Sequence, residues 1–360
     1  RKLGELVDVC SGRDYKHLSE GDIPVYGTGG YMLSVSEALS YDKDAIGIGR
    51  KGTIDKPYIL NAPFWTVDTL FYAIPKEKVD LNFAFDIFQN INWKKKDEST
   101  GVPSLSRTAI NEIHILVPQY DEQQVLGQLF YGIDRLIALH QRKLDKMKEL
   151  KKAFLNLIFS QKLRFYGFTD SWELRKLEEV APLRGGYAFQ SNQYANEGIP
   201  IVRISNILSD GSVGGEFVFH NELKDDEIFM LENGDIVLAM SGATTGKVSI
   251  LSSEKSCKYY QNQRVGLFSK TATCNYSFVA TIVRSEKFLE QLRDVLVAGA
   301  QPNVSAKDID AFDFSVPKDV EEQSQIGNFF RTLDRLITLY QKKIDSSKEM
   351  KKILLKNMLI

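Results

Sequence analysis

Two stretches of this chain carry apolar side chains alternately at every fourth and every third position. One begins at Glu122 and the other at Glu322, and each continues for about 40 residues. This spacing is the heptad pattern of a coiled coil, in which one helix presents an apolar seam to another. A helix of about 40 residues is roughly 60 Å long, which exceeds the width of a small domain, so the pattern predicts two long rods. The residues predicted to pair them are Phe130, Ile133, Ile137, His140 and Leu144 in the first helix and Phe330, Leu333, Ile337, Tyr340 and Ile344 in the second.

The two helical stretches are copies of one another. EQQVLGQLFYGIDRLIALHQRKLDKMKELKKAFLNLIF from Glu122 recurs without gaps as EQSQIGNFFRTLDRLITLYQKKIDSSKEMKKILLKNML from Glu322, an offset of about 200 residues. The likeness extends backwards: GVPSLSRTAINEIHILVP (101–118) aligns with AQPNVSAKDIDAFDFSVP (300–317), and RKLGELVDVCSG from Arg1 aligns with RKLEEVAPLRGG from Arg175. The chain is therefore predicted to be a duplication, in which a globular domain and a spacer helix each occur twice. The predicted boundaries are 1–118 for the first domain, 119–165 for its helix, 166–317 for the second domain and 318–360 for its helix.

Chain direction predicts how the helices pair. The first helix must carry the chain from one domain to the other, and the second helix follows the second domain, so paired seams would run antiparallel about a pseudo-twofold axis. The globular parts read as short strands broken by glycine-rich turns, with a few helices. Predicted strands are residues 23–27, 45–50, 64–74, 199–205, 235–242, 247–251 and 264–268, and predicted helices lie near 81–90, 276–284 and 286–297. The fold class is therefore α+β, with two mixed α/β domains separated by two long antiparallel coiled-coil helices.

Composition narrows the classes of protein. A chain of 360 residues, 43% hydrophobic and 26% charged, is longer than one core usually supports. No apolar run approaches the roughly 20 residues of a membrane span and no signal peptide is recognisable, so we expect the cytoplasm. The net charge of −1 argues against a broad basic surface for DNA. The predicted long helices are basic and the globular parts acidic, so any DNA-binding face there must be a local cluster, or partner subunits must supply phosphate contacts.

Catalytic chemistry finds little support in the sequence. The segment 242–247 resembles a phosphate-binding loop, but its spacing is one residue short and Val248 stands where Ser or Thr would hold magnesium. Residues 61–64 resemble the Asn-Pro-Pro-Tyr/Phe signature of amino-methyltransferases, but Ala62 interrupts the match. The glycine-rich segment 27–30 is more typical of a tight turn. Three widely spaced cysteines and four scattered histidines suit neither a disulfide framework nor a metal site, and the seam residue His140 is expected to set register. We therefore expect no catalytic residues and no metal ligands.

The order of the repeated blocks resembles the specificity subunit of type I restriction-modification systems, over nearly the whole chain. The blocks are IPVYGTGGY (23–31), IGRKGTIDKP (48–57) and GVPSLS (101–106) in the first half, and IPIVRISNI (199–207), SGATTGK (241–247) and AQPNVS (300–305) in the second. The resemblance implies two target-recognition domains, each reading one half of a split DNA site, with the helices fixing the gap between the halves. It also implies two modification subunits that supply S-adenosylmethionine and adenine methylation, and restriction subunits that supply ATP- and Mg-dependent translocation and cleavage. This chain would bind double-stranded DNA and no cofactor of its own.

DNA-binding candidates follow from side-chain chemistry, since Lys and Arg contact phosphates whereas bases are read by side-chain donors and acceptors. The candidates are Tyr26, Thr28, Arg50, Lys51, Lys94, Lys95 and Lys96 in the first domain and Arg203, Ser205, Asn206, Thr244, Thr245, Lys247 and Arg264 in the second. The alternative for each is a solvated loop residue. Three rival functions stay open: a catalytic DNA methyltransferase, a coiled-coil scaffold that does not bind DNA, and a reader from a related system with fewer partners.

Overall fold

The computed structural model describes residues 1–97, 99–252, 257–298 and 303–358. Residues 300–302 of the repeated block 300–317 lie outside the described residues. The chain forms two compact units. The first unit is Arg1–Asp145 together with Leu339–Ile360, and the second unit is Lys146–Thr338.

The described residues of the first unit form two small sheets, three α-helices that begin within the unit and, from Leu339 onward, the C-terminal part of the second long helix. Its strands are β1 (Val7–Ser11), β2 (Glu20–Gly27), β3 (Gly30–Val35), β4 (Ala45–Gly49), β5 (Tyr58–Leu60), β6 (Trp65–Thr66) and β7 (Leu70–Pro75). Its helices are α1 (Leu81–Asn90), α2 (Arg107–Asn111) and α3 (Tyr120–Phe159), of which α3 continues into the second unit. An antiparallel sheet has the order β1-β7-β4-β5, and a second sheet has the order β3-β2-β6. All five residues of β4 are buried, and Phe83 and Phe88 of α1 belong to the same core.

The second unit repeats this architecture. Its strands are β8 (Glu173–Lys176), β9 (Leu183–Gly185), β10 (Ile199–Val202), β11 (Val218–His220), β12 (Met230–Leu231), β13 (Ile236–Ala239), β14 (Val248–Ile250), β15 (Tyr259–Gln261), β16 (Val265–Phe268) and β17 (Asp313–Val316). Its helices are α4 (Leu177–Val180), α5 (Tyr276–Ile282), α6 (Glu286–Ala298), α7 (Ala306–Asp310) and α8 (Val320–Met358). The order β9-β16-β13-β14 matches β1-β7-β4-β5, and β11-β10-β15 matches β3-β2-β6, with one parallel pair in each case. The α+β class and the internal duplication are confirmed.

The prediction of one strand over residues 64–74 was wrong. Residues 64–74 were expected to form a single strand, but the structure divides them into β6 and β7, with a turn at residues 67–69. The amide of Val67 donates to the Tyr26 carbonyl (3.0 Å), and the amide of Leu70 donates back to the Val67 carbonyl (3.0 Å). These two bonds satisfy backbone groups that a continuous ladder would have used, so the chain turns although its flanks are apolar.

The long helices run antiparallel inside each unit, as predicted. In the first unit Asp134 pairs with Lys351, and the His140 ring lies 5.7 Å from the Tyr340 ring. A later residue of α3 thus contacts an earlier residue of α8, which is the pattern of antiparallel helices. In the second unit Lys151 pairs with Asp334, and Phe154 contacts Phe329. Of the ten seam residues, Phe130, Leu144, Phe330 and Ile344 are buried, whereas Ile133, Ile137, His140, Leu333, Ile337 and Tyr340 are half-buried. In the described part of the chain, no helix is long and apolar enough to cross a lipid bilayer.

A glutamine fastens the start of each long helix to its own domain. The Gln123 side chain accepts a hydrogen bond from the amide of Asp80 (3.2 Å) and donates to the Pro118 carbonyl (3.0 Å). Its counterpart Gln323 accepts from the amide of Asn275 (2.8 Å) and donates to the Pro317 carbonyl (2.8 Å). Both glutamines are buried. Asp80 and Asn275 are the N-caps of α1 and α5, so the same joint occurs in both copies.

We predict that Gln123→Leu lowers the free energy of unfolding of the first unit by about 2 kcal/mol, because it leaves the half-buried Asp80 amide and Pro118 carbonyl without their partner. Gln124→Leu is the matched control, since Gln124 is the exposed neighbour on the same helix. Urea unfolding of both variants provides the measurement. If the two variants unfold at the same urea concentration, the proposed role of Gln123 in fastening the helix to its domain is wrong.

A buried ionic cluster lies beside the seam of the first unit. The Lys351 ammonium lies 2.5 Å from Asp134, 2.5 Å from the Gln89 side chain and 3.8 Å from Asp86. Asp86 is 2% exposed, and one of its carboxyl oxygens has no hydrogen-bond partner. Burial raises the pKa of the Asp86 carboxyl to about 8, although the Lys351 charge lowers it. In the second unit Asp334 instead meets two cations, Lys151 and Arg284.

Candidate nucleic-acid interface

The turn at residues 67–69 forms the centre of a cluster of loops at one end of the first sheet. The amide of Arg50 donates to the Thr69 carbonyl (2.8 Å), and the amide of Leu105 donates to the Arg50 carbonyl (2.9 Å). Lys51 forms a β-bridge with Ser104. We call residues 12–13, 50–51, 67–69 and 104 the first platform. Since its backbone groups bond to one another, the platform presents its side chains from fixed positions.

A glycine allows the closest approach in the first platform. A Cβ at Gly12 would lie 2.0 Å from the Val67 carbonyl oxygen, so no other residue fits without moving the backbone. The next amide, that of Arg13, donates to the Thr66 carbonyl (2.8 Å). The turn is thus held from the β1 side as well as from β4.

The exposed side chains around the first platform are mostly cationic. Arg13, Arg50, Lys51 and Arg107 are all exposed. Arg50 donates to the Asp68 carbonyl (3.3 Å) and lies 5.7 Å from the centre of the Phe71 ring, and Arg107 donates to the Ser11 hydroxyl (3.0 Å). These contacts gather four positive charges into one local surface of a chain whose net charge is −1. This is the kind of local cluster that the sequence required for phosphate binding.

The second unit contains the same backbone arrangement, which we call the second platform: residues 186–187, 240–241, 262–264 and 303. The amide of Met240 donates to the Arg264 carbonyl (3.0 Å), and the amide of Val304 donates to the Met240 carbonyl (2.9 Å). The amide of Asn262 donates to the Val202 carbonyl (3.1 Å), as Val67 does to Tyr26.

The remaining contacts of the second platform also correspond. Ser241 forms a β-bridge with Asn303, as Lys51 does with Ser104. A Cβ at Gly186 would lie 2.2 Å from the Gln261 carbonyl oxygen, which repeats the close approach at Gly12. The two platforms therefore share these hydrogen bonds and a glycine that lies too close to a carbonyl to carry a side chain.

The side chains on the two platforms differ. The pairs of corresponding residues are Arg13 and Tyr187, Arg50 and Met240, Lys51 and Ser241, Asp68 and Gln263, and Thr69 and Arg264. One backbone scaffold thus presents two sets of donors, acceptors and charges, which is the arrangement required to recognise two different ligands of one class.

The structure separates the candidates of the first domain. Arg50 and Lys51 lie on the platform. Tyr26 is half-buried beneath it, where its carbonyl holds the turn and its ring contacts Tyr31 and Tyr58. Thr28 lies in the neighbouring β2–β3 turn.

The three consecutive lysines of the first domain occupy a short helical turn, Trp93–Lys96. Lys94 pairs with Asp55 (2.9 Å), which follows the Arg50–Lys51 segment in the chain. Lys95 and Lys96 are exposed beside Glu112 in a shallow depression.

The candidates of the second domain also separate. Arg264 lies on the platform, and Arg203 follows Val202, which bonds to the turn. Asn206 is buried, and its amide donates to the carbonyls of Gly214 (2.9 Å) and Glu216 (3.0 Å), so it orders the loop.

The remaining candidates surround that loop. Ser205 is exposed. Thr244 donates to the Ile204 carbonyl (3.2 Å), Thr245 to the Gly242 carbonyl (2.7 Å) and Lys247 to the Ser209 hydroxyl (2.8 Å).

Sequence reasoning missed four platform residues and Arg107, which lies beside the first platform. The four platform residues are Arg13, Asp68, Tyr187 and Gln263. The signal for two of them was present, since the repeat aligned Gly12 with Gly186 and so marked the residues that follow. Asp68 was missed because the turn that exposes it was assigned to a strand, and Gln263 was missed because it lies just outside the predicted strand 264–268.

A duplicated α+β domain with a long helix after each copy defines a class of two-domain proteins in which two similar platforms are joined through helices. The family model described as the type I restriction modification DNA specificity domain matches residues 1–149 and 169–347. The chain belongs to this family, which confirms the resemblance identified from the repeated blocks.

Individual relatives agree with the family match. The type I restriction enzyme MjaVIII specificity subunit of Methanocaldococcus jannaschii is 24% identical over 277 residues, covering 72% of this chain and 64% of the relative. The EcoAI specificity subunit of Escherichia coli is 24% identical over 230 residues, covering 61% of this chain and 38% of the relative. The matches therefore span less than two thirds of either relative's length. The crystal structure of a type I restriction-modification S subunit from M. genitalium has a TM-score of 0.76 at 15% identity and covers 100% of this chain and 95% of that one, which is a likeness of fold.

Proposed function

We propose that this chain is the DNA sequence-specificity subunit of a type I restriction-modification complex and reads a bipartite site in double-stranded DNA. The observation that carries the proposal is the pair of platforms with one backbone arrangement and different exposed side chains. A single repeated surface would read the same half-site twice. Two chemically different surfaces on one scaffold would read two different half-sites, as a split and asymmetric target requires.

The side chains support a proposal of which residues contact phosphates and which read bases. Arg13, Arg50, Lys51 and Arg107 would contact phosphates around the first platform, with Lys94 extending the same surface. In the second domain Arg203, Lys247 and Arg264 are the available cations. Since phosphate contacts fix position while contacts with base edges carry sequence information, the uncharged and acidic platform residues are the candidates for readout.

The proposal assigns no catalytic step and no cofactor to this chain. Two modification subunits would bring S-adenosylmethionine and methylate adenine, and restriction subunits would bring ATP and Mg, all in the cytoplasm where the DNA lies. Support for docking of partners comes from α3, on which Val125, Leu129, Leu136 and Leu139 are 67%, 42%, 44% and 48% exposed. These residues recur at heptad spacing on a face other than the predicted seam, and an exposed apolar stripe favours burial against a partner.

The decisive experiment compares methylation in cells that carry the modification subunit with and without this chain. We expect a split motif with methylated adenine that appears only when the chain is present, because neither platform alone specifies both halves. Long-read sequencing that detects N6-methyladenine provides the measurement. If a co-purified complex active on S-adenosylmethionine leaves no chain-dependent motif, the scaffold function replaces this one.

A further inference from the structure

We propose that Asp68 and Gln263 are the corresponding base-reading residues of the two platforms. Asp68 accepts a hydrogen bond from the exocyclic amino group of a cytosine or adenine, and Gln263 forms a paired donor and acceptor contact with adenine. This inference rests on the proposed DNA-reading function and adds to it the positions at which each half-site is distinguished.

Asp68 and Gln263 occupy corresponding positions in the two platforms. Both residues stand at the middle of the three-residue turn in the centre of their platform, residues 67–69 and 262–264. The flanking backbone is fixed on both sides. Val67 and Asn262 donate to the β2 and β10 carbonyls, and the carbonyls of Thr69 and Arg264 accept from the residues that directly follow β4 and β13. Both side chains are exposed. A fixed backbone with a free side chain restricts where that side chain reaches, which base discrimination requires.

The side chains of Asp68 and Gln263 have no hydrogen-bond or ion-pair partner among the described residues. Within the described residues, no hydrogen bond or ion pair reaches the Asp68 carboxylate, although Arg50 donates to its backbone carbonyl. The Gln263 side-chain amide likewise has no partner in the described ranges, whereas its backbone amide donates to the Tyr187 carbonyl (2.9 Å). Neither side chain is thus occupied in holding the loop, in contrast with Asn206.

The charge around Asp68 also supports the inference. Asp68 is an acceptor on a surface that carries Arg13, Arg50, Lys51 and Arg107. A carboxylate repels phosphate, so it weakens the non-specific attraction that its neighbours provide. If it only neutralised those cations, it would form an ion pair with one of them. Carboxylates accept from the cytosine amino group, and glutamine pairs with adenine through its N6 and N7 atoms, so both side chains suit base edges.

The test is Asp68→Asn in the full chain, assembled with its modification subunits and examined by methylation mapping of genomic DNA. Asparagine keeps the size of aspartate but can donate as well as accept, so we expect the base preference at one position of one half-site to relax or change. On synthetic duplexes with each base varied in turn, discrimination at that position should fall about 10-fold to 100-fold, while the other half-site stays the same. Gln263→Ala should act in the same way on the opposite half-site.

Glu77→Gln is the matched control for loss of one negative charge. Glu77 is exposed and follows the far end of β7, the strand that begins directly after the turn. We expect its motif to equal that of the unaltered chain. A general gain of affinity in Asp68→Asn without any change of motif would identify Asp68 as an electrostatic element and overturn the inference.

Three further outcomes are distinguishable. An unchanged motif in Asp68→Asn and Asp68→Ala, at normal methylation levels, excludes Asp68 as a reader. Loss of methylation at every site from a complex that still assembles also overturns the inference, because a reader alters selection at one position. If the unaltered chain directs no methylation, the proposed function itself fails.

Discussion

Replacing residues 1–118 with the corresponding domain of another family member should change one half of the methylated DNA motif and leave the other half intact. The first platform lies entirely within these residues, and every hydrogen bond that defines the second platform lies between residues 186 and 304. Methylation at the original site should fall by at least about 100-fold, since several base pairs would mismatch at once. Methylation mapping of the chimera is the measurement.

The joint between domain and helix determines how the chimera must be built. The donor domain has to place a helix N-terminus against Gln123 and leave space at Gly127, where a Cβ would lie 2.8 Å from the Phe83 amide. The reciprocal exchange of residues 166–317 is the control and should change only the opposite half of the motif. If either exchange changes both halves, the two platforms do not read independently.

The helices and the duplication were predictable because both depend on periodicity. Phe130 and Phe330 lie at the same heptad position about 200 residues apart, and a repeat of that length is visible without any knowledge of tertiary contacts. Antiparallel pairing then followed from chain direction. Gln123 and Gln323 are also visible in the repeat, but the sequence does not show that they hold the helices to their domains. Each bonds to an N-cap amide more than 40 residues away in the chain.

The platforms were only partly predictable because loops assemble them. Arg50 and Lys51 were identified from their chemistry, but Asp68 was placed inside a strand, since the apolar residues on both sides of it outweigh one polar pair in any local pattern. Asn206 is a candidate to which the structure gives a second role, in ordering the loop. Its amide suits base recognition, yet in the structure it is buried and bonds to two backbone carbonyls, which no property of residues 199–207 alone reveals.

The buried cluster around Lys351 shows how tertiary structure alters chemistry that sequence treats as ordinary. Asp86 occupies a buried position of α1, beside a lysine that arrives from the far end of the chain. Because water is excluded there, the pKa of the Asp86 carboxyl is raised well above its usual range, which favours the protonated form. In the second unit Arg284 and Lys151 both pair with Asp334, the counterpart of Asp134, so that cluster has an excess of positive rather than negative groups.

Asp86→Asn should therefore stabilise the first unit, and the gain should grow between about pH 5 and about pH 8. The folded state keeps a proton on Asp86 up to a pKa of about 8, whereas the unfolded chain releases it near the ordinary aspartate pKa of 3.8. The unfolded state binds fewer protons throughout this window, so stability of the unaltered chain falls as pH rises, by up to about 1.4 kcal/mol per pH unit, and levels off above the folded pKa. Asparagine cannot ionise, which removes the penalty and gives a gain of up to about 5 kcal/mol at pH 8. Hydrogen exchange of α1 amides, corrected for intrinsic rates, measures the effect, and amides of the second unit serve as an internal reference.

Asp134→Asn is the matched control, with an effect of opposite sign. Asp134 lies 2.5 Å from the Lys351 ammonium, forms an ion pair with it, and has a side chain that is 35% exposed. Its replacement leaves the buried Lys351 with a weaker partner and should destabilise the first unit at neutral pH. A loss of stability in Asp86→Asn that is equal at pH 5 and pH 8 would mean that Asp86 is ionised across the whole range. In that case Lys351, at 3.8 Å, stabilises the carboxylate more strongly than burial disfavours it, and Asp86 and Asp134 would act as two anions around one cation.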